Sequence, residues 1–195
     1  MPSVDRILEA TTNFEHRFIP DRAALAETVK TLKARGLKIV LTQGVYDLIH
    51  EGHAAYLAMA KSYGDVLIVG TDSDALTKVR KGPNRPIVPQ EERVKMLVHL
   101  RPVDIVTIRE AHEGMGDLIK LVRPDVLVTS SSTADFTEEF KKQYAAFCGN
   151  VVTLPPQATT STTARIRLLT IDGAEKLAEE VHKLTQDFLS KIRKS

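Results

Sequence analysis

A chain of 195 residues with 43% hydrophobic and 27% charged side chains has the composition of a globular domain with short extensions, and 27 basic against 25 acidic residues leave a net charge of only +2. That balance gives no electrostatic reason to bind nucleic acid or a membrane surface, and no apolar run approaches the roughly 20 residues that cross a bilayer. Cys148 is the single cysteine and cannot close an internal disulfide, and the N-terminal stretch carries Asp5, Glu9 and Glu15 without an apolar signal core, so a cytoplasmic protein is expected.

Residues 1–20 are weakly patterned, with Ile7, Leu8, Phe14 and Phe18 offering apolar surface for a short helix or an arm lying on the body. Pro20 breaks that stretch. Asp21 is placed to cap a helix whose apolar side carries Leu25, Val29, Leu32 and Leu37, and Gly36 stops it. Strands and helices then alternate. Strands are expected at 38–42, 65–70, 104–108, 125–129 and 150–154. Helices are expected at 52–63, 72–80 (capped by Asp72 or Ser73), 90–100, 115–122 and 136–147. Residues 81–90 hold three prolines and must form an irregular loop. The last stretch, 174–193, reads as one long helix with Leu177, Val181, Leu184, Phe188 and Ile192 along one side, a stripe suited to the body or to a second copy of the chain.

Nearly continuous apolar strands separated by helices predict an α/β fold, a Rossmann-like doubly wound parallel sheet with extra N-terminal and C-terminal helices. The expected divisions are an N-terminal arm and helix at 1–36, a central domain at 37–172 and a C-terminal helix at 173–195. Ligands in such sheets sit at the carboxyl ends of the strands.

Two stretches stand out at such ends. The first strand runs into Gly44-Val45-Tyr46-Asp47-Leu48-Ile49-His50-Glu51-Gly52-His53. A glycine, two imidazoles and a helix N-terminus converge there, and backbone N–H groups with the positive end of a helix dipole favour a phosphate. The imidazoles add hydrogen bonds, and charge when protonated, while Gly52 lets a bulky ligand approach the backbone. The second stretch, 155–163, holds Thr159, Thr160, Ser161, Thr162 and Thr163 just before the apolar-periodic Ile166, Leu168 and Leu169, a second helix start rich in hydroxyl donors.

The first stretch resembles the G-x-F-D-x-x-H-x-G-H signature of the nucleotidyltransferase superfamily, and Ser161-Thr162-Thr163-Ala164-Arg165-Ile166 resembles its second signature, S-T-T-x-x-I. Between them Ser73-Asp74-Ala75, Lys78, Lys81-Gly82, Arg85-Pro86, Arg93 and Val103-Asp104 are similar in order and spacing to bacterial heptose-1-phosphate adenylyltransferases, and glycerol-3-phosphate cytidylyltransferases share much of that frame. The resemblance covers roughly residues 37–169. It implies attack by a phosphorylated sugar or alcohol on the α-phosphate of ATP or CTP, adenylyl transfer being preferred because of the Lys-Gly-x-x-Arg-Pro loop, with loss of pyrophosphate and with Mg²⁺ carried on the triphosphate. It implies catalytic roles for His50, His53, Lys78 and Arg93. It implies nucleotide contacts from Gly44, Val45, Tyr46, Asp47, Gly52, His53, Lys81, Thr160, Ser161, Thr162 and Thr163, and no resident protein metal site. A homodimer is expected from the C-terminal stripe. The chain differs from the family after residue 129, where Ser130-Ser131-Ser132-Thr133 replaces a lysine, two glycines and an aspartate in the heptose enzymes.

Three rival readings follow from the same residues. A domain of this fold could sense a nucleotide without turning it over, as the serine run suggests. The His50/His53 pair could bind zinc, but a third ligand at helical spacing is missing. A class I aminoacyl-tRNA synthetase relative would share the histidine motif, but the chain is short for a tRNA-binding domain and has no K-M-S-K-S loop. His16, His99, His112 and His182 match no motif, and Cys148 reads as a small inert side chain.

Overall fold

The computed structural model describes residues 4–8, 13–131, 137–157 and 162–194. It divides into two compact units, Met1–Thr159 and Thr160–Ser195. The first unit holds five parallel strands: β1 (Ile39–Gly44), β2 (Val66–Asp72), β3 (Ile105–Arg109), β4 (Val126–Ser130) and β5 (Asn150–Leu154), in the order β3-β2-β1-β4-β5. Its helices are α1 (Val4–Leu8), α2 (Phe14–Arg17), α3 (Arg22–Ala34), α4 (Glu51–Lys61), α5 (Asp74–Lys81), α6 (Gln90–His99), α7 (Asp117–Val122) and α8 (Glu138–Tyr144). The second unit is α9 (Thr162–Lys194).

The alternation of side chains along the strands builds two cores. Ile39 and Leu41 of β1 join Val66 and Ile68 of β2 and Leu127 of β4 under α1, α3, α7 and α8. Val40, Leu67, Val69, Val106 and Val128 face the other way, onto Leu57 and Ala60 of α4 and Val94, Leu97 and Val98 of α6. Each fully buried Leu, Ile or Val contributes about 1.5–3 kcal/mol, so the two-faced apolar strands make the parallel sheet stable only with both faces covered. Asp21 caps α3 by accepting from the Ala24 N–H at 2.7 Å, as its position predicts. The N-terminal arm shields the β3 edge, where Ile19 N–H donates to the Val106 carbonyl. Arg22 locks it there with a two-pronged ion pair to Glu113 and bonds to Thr107 Oγ1 and the Ile108 carbonyl.

The observed elements differ from expectation at their ends. β1 and β2 each run two residues further, to Gly44 and Asp72, because Gln43, Thr71 and Asp72 are polar yet buried and break the apolar signal, not the strand. Ser73, not Asp72, caps α5, accepting from the Leu76 N–H, while the Asp72 carboxylate is buried against Arg80 and Arg109. The boundary expected at 172/173 falls inside α9, which passes Gly173 unbroken. A helical glycine costs only about 1 kcal/mol and does not by itself end a helix.

Between β1 and β2 the chain crosses one face through α4. Between β3 and β4 it crosses the other through α7. The direction of winding therefore reverses at β1 and β4, and the carboxyl ends of these two strands form the crevice where such folds take ligands.

Candidate active site

The turn from β1 to α4 lies at that crevice. Its backbone is unusual: Tyr46 (φ 55°) and Leu48 (φ 45°) both occupy the left-handed region, a conformation that bulky side chains adopt only when the surroundings enforce it. Asp47, between them, supplies the enforcement. Its buried carboxylate accepts from Ile87 N–H (3.0 Å), Val88 N–H (2.9 Å) and Arg85 Nη1 (2.8 Å). Burial alone would raise its pKa, but these donors outweigh it and hold the carboxyl below the usual aspartate value. The proline-rich loop 82–89 is thereby strapped across the turn.

A second brace comes from behind. Arg93 of α6 is 1% exposed, and all five of its N–H donors are used. Nε donates to the Val88 carbonyl. Nη1 donates to the Val45 carbonyl (2.5 Å) and Thr71 Oγ1, and Nη2 donates to the Asp72 carbonyl and Asp74 Oδ1 (2.7 Å). The arginine thus ties the turn to the end of β2 and the start of α5, and has no donor left for a phosphate. A Cβ at Gly44 would approach the Tyr46 ring to 3.2 Å, a tight contact.

The two imidazoles form the N-terminus of α4. His50 is the N-cap, and its Nδ1 accepts from the Gly52 N–H at 3.1 Å. His53 Nδ1 accepts in return from the His50 N–H at 3.4 Å, and the rings lie 4.1 Å apart between centroids. Occupied Nδ1 lone pairs place the ring proton of each neutral imidazole on Nε2, so both present an Nε2–H donor. Burial, then the neighbouring His50, push the His53 pKa down to about 4. His53 is therefore neutral at pH 7. The N–H groups of Gly52, His53 and Ala54 are taken by His50, so those three are not free for the anion expected at this helix start, and the imidazole N–H groups and the helix dipole are what it offers.

Lowering the His53 pKa links it to folding. The folded state binds fewer protons than the unfolded state between pH 6.5 and 4, so stability is fully present above 6.5 and falls as the pH drops through that window, by at most about 3 kcal/mol. Thermal melts at pH 7 and pH 4.5 should show this, and the His53→Gln protein should lose less melting temperature than wild type over the same interval. An equal loss in both would remove His53 as the cause.

Lys78 and Lys81 lie one and two turns into α5, both exposed and without an ion-pair partner among the described residues. Thr160 and Ser161 lie outside the described residues. Thr162 and Thr163 open α9, and their side chains also lie outside what is described. Ser130 ends β4, and Ser132 to Thr133 fall outside the described residues. Sequence reasoning missed Gln43 and the buried Asp72–Arg109 contact (3.4 Å). Gln43, Asp72 and Arg109 are polar residues within three positions of the end of an apolar strand run, which was their one available signal.

A doubly wound parallel sheet with a His-x-Gly-His turn capping the helix behind β1, at the winding reversal, is a nucleotidyltransferase-type α/β domain. The chain belongs to the cytidylyltransferase-like family, which it matches over residues 41–168. It is 48% identical over 111 residues to the bifunctional protein HldE of a Nitratiruptor species, covering 57% of this chain and 24% of that protein. It is 39% identical over 149 residues to the bifunctional protein HldE of Cronobacter sakazakii, covering 76% of this chain and 31% of that protein. The chain thus spans about a quarter to a third of the length of these relatives. Among solved structures, the lipopolysaccharide core biosynthesis protein from Thermoplasma volcanium shares the fold at a TM-score of 0.55 and 24% identity over 62% of this chain and 98% of that one. The pantoate-beta-alanine ligase from Francisella tularensis does so at 0.53 and 14%, over 71% and 66%.

Proposed function

We propose that the chain transfers a nucleoside monophosphate, AMP from ATP, to a sugar phosphate or related phosphorylated alcohol, releasing pyrophosphate. The observation that carries this reading is the His50/His53 pair, two adjacent imidazoles with Nε2–H donors at the N-terminus of α4. The acceptor's oxygen attacks the α-phosphorus, the bond to the β-phosphate oxygen breaks, and that oxygen leaves with the new negative charge. Donors already oriented toward this charge lower the barrier without being rearranged during the step. His53 and His50 would bind the α- and β-phosphates. Thr160, Ser161, Thr162 and Thr163 would offer hydroxyls to the nucleotide's phosphates.

Lys78 and Lys81 would bring cationic charge to a phosphate. Arg93 serves as a positioning residue, and Asp47 and Arg85 fix the turn. Gly44, Val45, Tyr46 and Gly52 shape the floor. Mg²⁺ would arrive on the triphosphate and offset its charge, because small hard cations keep phosphate and water ligands. Asp47 is not offered as its ligand, since both carboxylate oxygens already accept from Ile87, Val88 or Arg85. CTP with a glycerol-3-phosphate-like acceptor is the second reading, favoured by the family matched. A cytoplasmic homodimer completes the proposal. Leu177, Val181 and Leu184, 62%, 54% and 69% exposed on one side of α9, would pair the copies, and sedimentation as a monomer at micromolar concentration would remove that part.

The test is pyrophosphate release with ATP, CTP, GTP or UTP, Mg²⁺ and a panel of heptose 1-phosphate, mannose 1-phosphate and glycerol 3-phosphate. Release with ATP and one sugar phosphate is expected. Tight nucleotide binding by calorimetry with no release from any pair would favour a sensing module instead.

A further inference from the structure

We infer that Gln43 is a substrate-binding residue whose side-chain amide is held for a hydroxyl group of a substrate sugar ring; this rests on the nucleotidyl-transfer reading above. Gln43 is the penultimate residue of β1 and 8% exposed. Neither its amide nitrogen nor its amide oxygen has a hydrogen-bond partner among the described residues. A buried amide without partners is costly, about 1–3 kcal/mol for each group left unmade, and such groups are rare in folded proteins outside functional sites and ordered-water sites. The neighbouring polar residues behave differently. Thr42 bonds Tyr56, Thr71 bonds the Val45 carbonyl and Thr129 bonds Thr153.

The place of the residue gives the orphaned amide its meaning. Strand alternation turns Gln43 away from Thr42 and α4, toward the face covered by α3 and α7. On the β2 side its register partner is Gly70. There a Cβ would lie 2.5 Å from Leu118 Cδ2 and 3.3 Å from Arg109 Cδ, so that side is filled. On the β4 side the ladder with β1 ends at Thr42–Val128, although β4 continues beside β5 to Ser130. The two strands therefore part at Gln43, which stands at the winding reversal where ligands enter this architecture.

The chemistry selects a hydroxyl over a phosphate. A neutral amide offers both an acceptor and donors, which a hydroxyl satisfies together, whereas its carbonyl oxygen would face a phosphate oxygen unfavourably. Sites that hydrogen-bond a substrate hydroxyl discriminate strongly against analogues lacking it. Two substrates carry such hydroxyls: the ribose of the nucleotide and the sugar or polyol of the acceptor.

The experiment compares wild type with Gln43→Met and Gln43→Leu. It measures KM for ATP, 2′-deoxy-ATP and 3′-deoxy-ATP, KM for the acceptor found active in the panel, kcat, and melting temperature without ligand. A KM raised between about tenfold and a hundredfold for one substrate, with kcat within a few-fold, is expected for the loss of such a bond. If the ribose is the partner, the variants also stop discriminating ATP from one deoxy analogue. If the acceptor is, ATP is used normally and the acceptor KM alone rises. The unliganded melting temperature should be unchanged or higher, because an apolar side chain replaces unpartnered polar atoms. Both KM values within twofold of wild type would overturn the inference while leaving nucleotidyl transfer intact. A melting temperature more than about 5 °C lower would overturn it as well, by making the amide a structural group. A wild-type protein that transfers nothing would instead sink the proposed reaction, and this inference with it.

Discussion

Turnover by the His53→Ala protein is expected to fall by two to three orders of magnitude, with the fold intact. The imidazole is neutral, its pKa being pushed down to about 4, and its Nδ1 is held by the His50 N–H. On the proposed reaction, what is removed is one oriented Nε2–H donor at the oxygen that gains charge. Loss of a single such donor costs about 2.7–4 kcal/mol of transition-state stabilisation in comparable sites, a factor of roughly 10²–10³. The loss should appear in kcat more than in KM, because the donor meets its full charge only as pyrophosphate departs. His53→Asn, which places an amide donor nearby, should recover part of the rate. His53→Ala with unimpaired kcat would show that the motif has another role.

Arg93→Ala should instead act on the fold. It leaves the carbonyls of Asp72 and Val88 and the Asp74 carboxylate without this donor and takes one of two donors from the Val45 carbonyl, around a guanidinium that is itself buried. Breaking a buried charge network by removing one partner costs about 3–5 kcal/mol, and for a chain of this size each kcal/mol shifts the melting temperature by about 2–4 °C, so a fall of roughly 10 °C is expected. Arg93→Lys should not rescue it, since an ammonium has three donors and cannot span five acceptors. Residual activity in folded Arg93→Lys should show raised KM and lowered kcat together, as the β1–α4 turn loosens. If Arg93→Ala melts within about 2 °C of wild type but loses nucleotide affinity, the arginine touches the phosphates after all.

The contrast between these two residues shows where sequence is informative. Both lie in family-like motifs, and from sequence both read as phosphate ligands. The sequence records that a guanidinium is required at 93, not which way it faces. Its burial arises because α6 lies across the sheet over Val69 and Val106, a tertiary fact invisible to local pattern. The strands were legible because apolar runs such as Val66–Val69 have no other stable home than a two-sided core. Their last residues were not, because Gln43, Thr71 and Asp72 interrupt the pattern where the sheet meets the site. His50 and His53 were legible as a pair. Their tautomers and the neutrality of His53 depend on contacts of about 3 Å that spacing does not encode. The last helix was expected only from 174, yet the helical preference of the residues around Gly173 carries α9 through it.

The central claim is that the two imidazoles at the N-terminus of α4 hold the triphosphate. A crystal structure with Mg²⁺ and a non-hydrolysable ATP analogue tests it most directly. The expected result has phosphate oxygens within hydrogen-bond distance of Nε2 of His50 and His53. A triphosphate bound away from the α4 N-terminus would contradict the account.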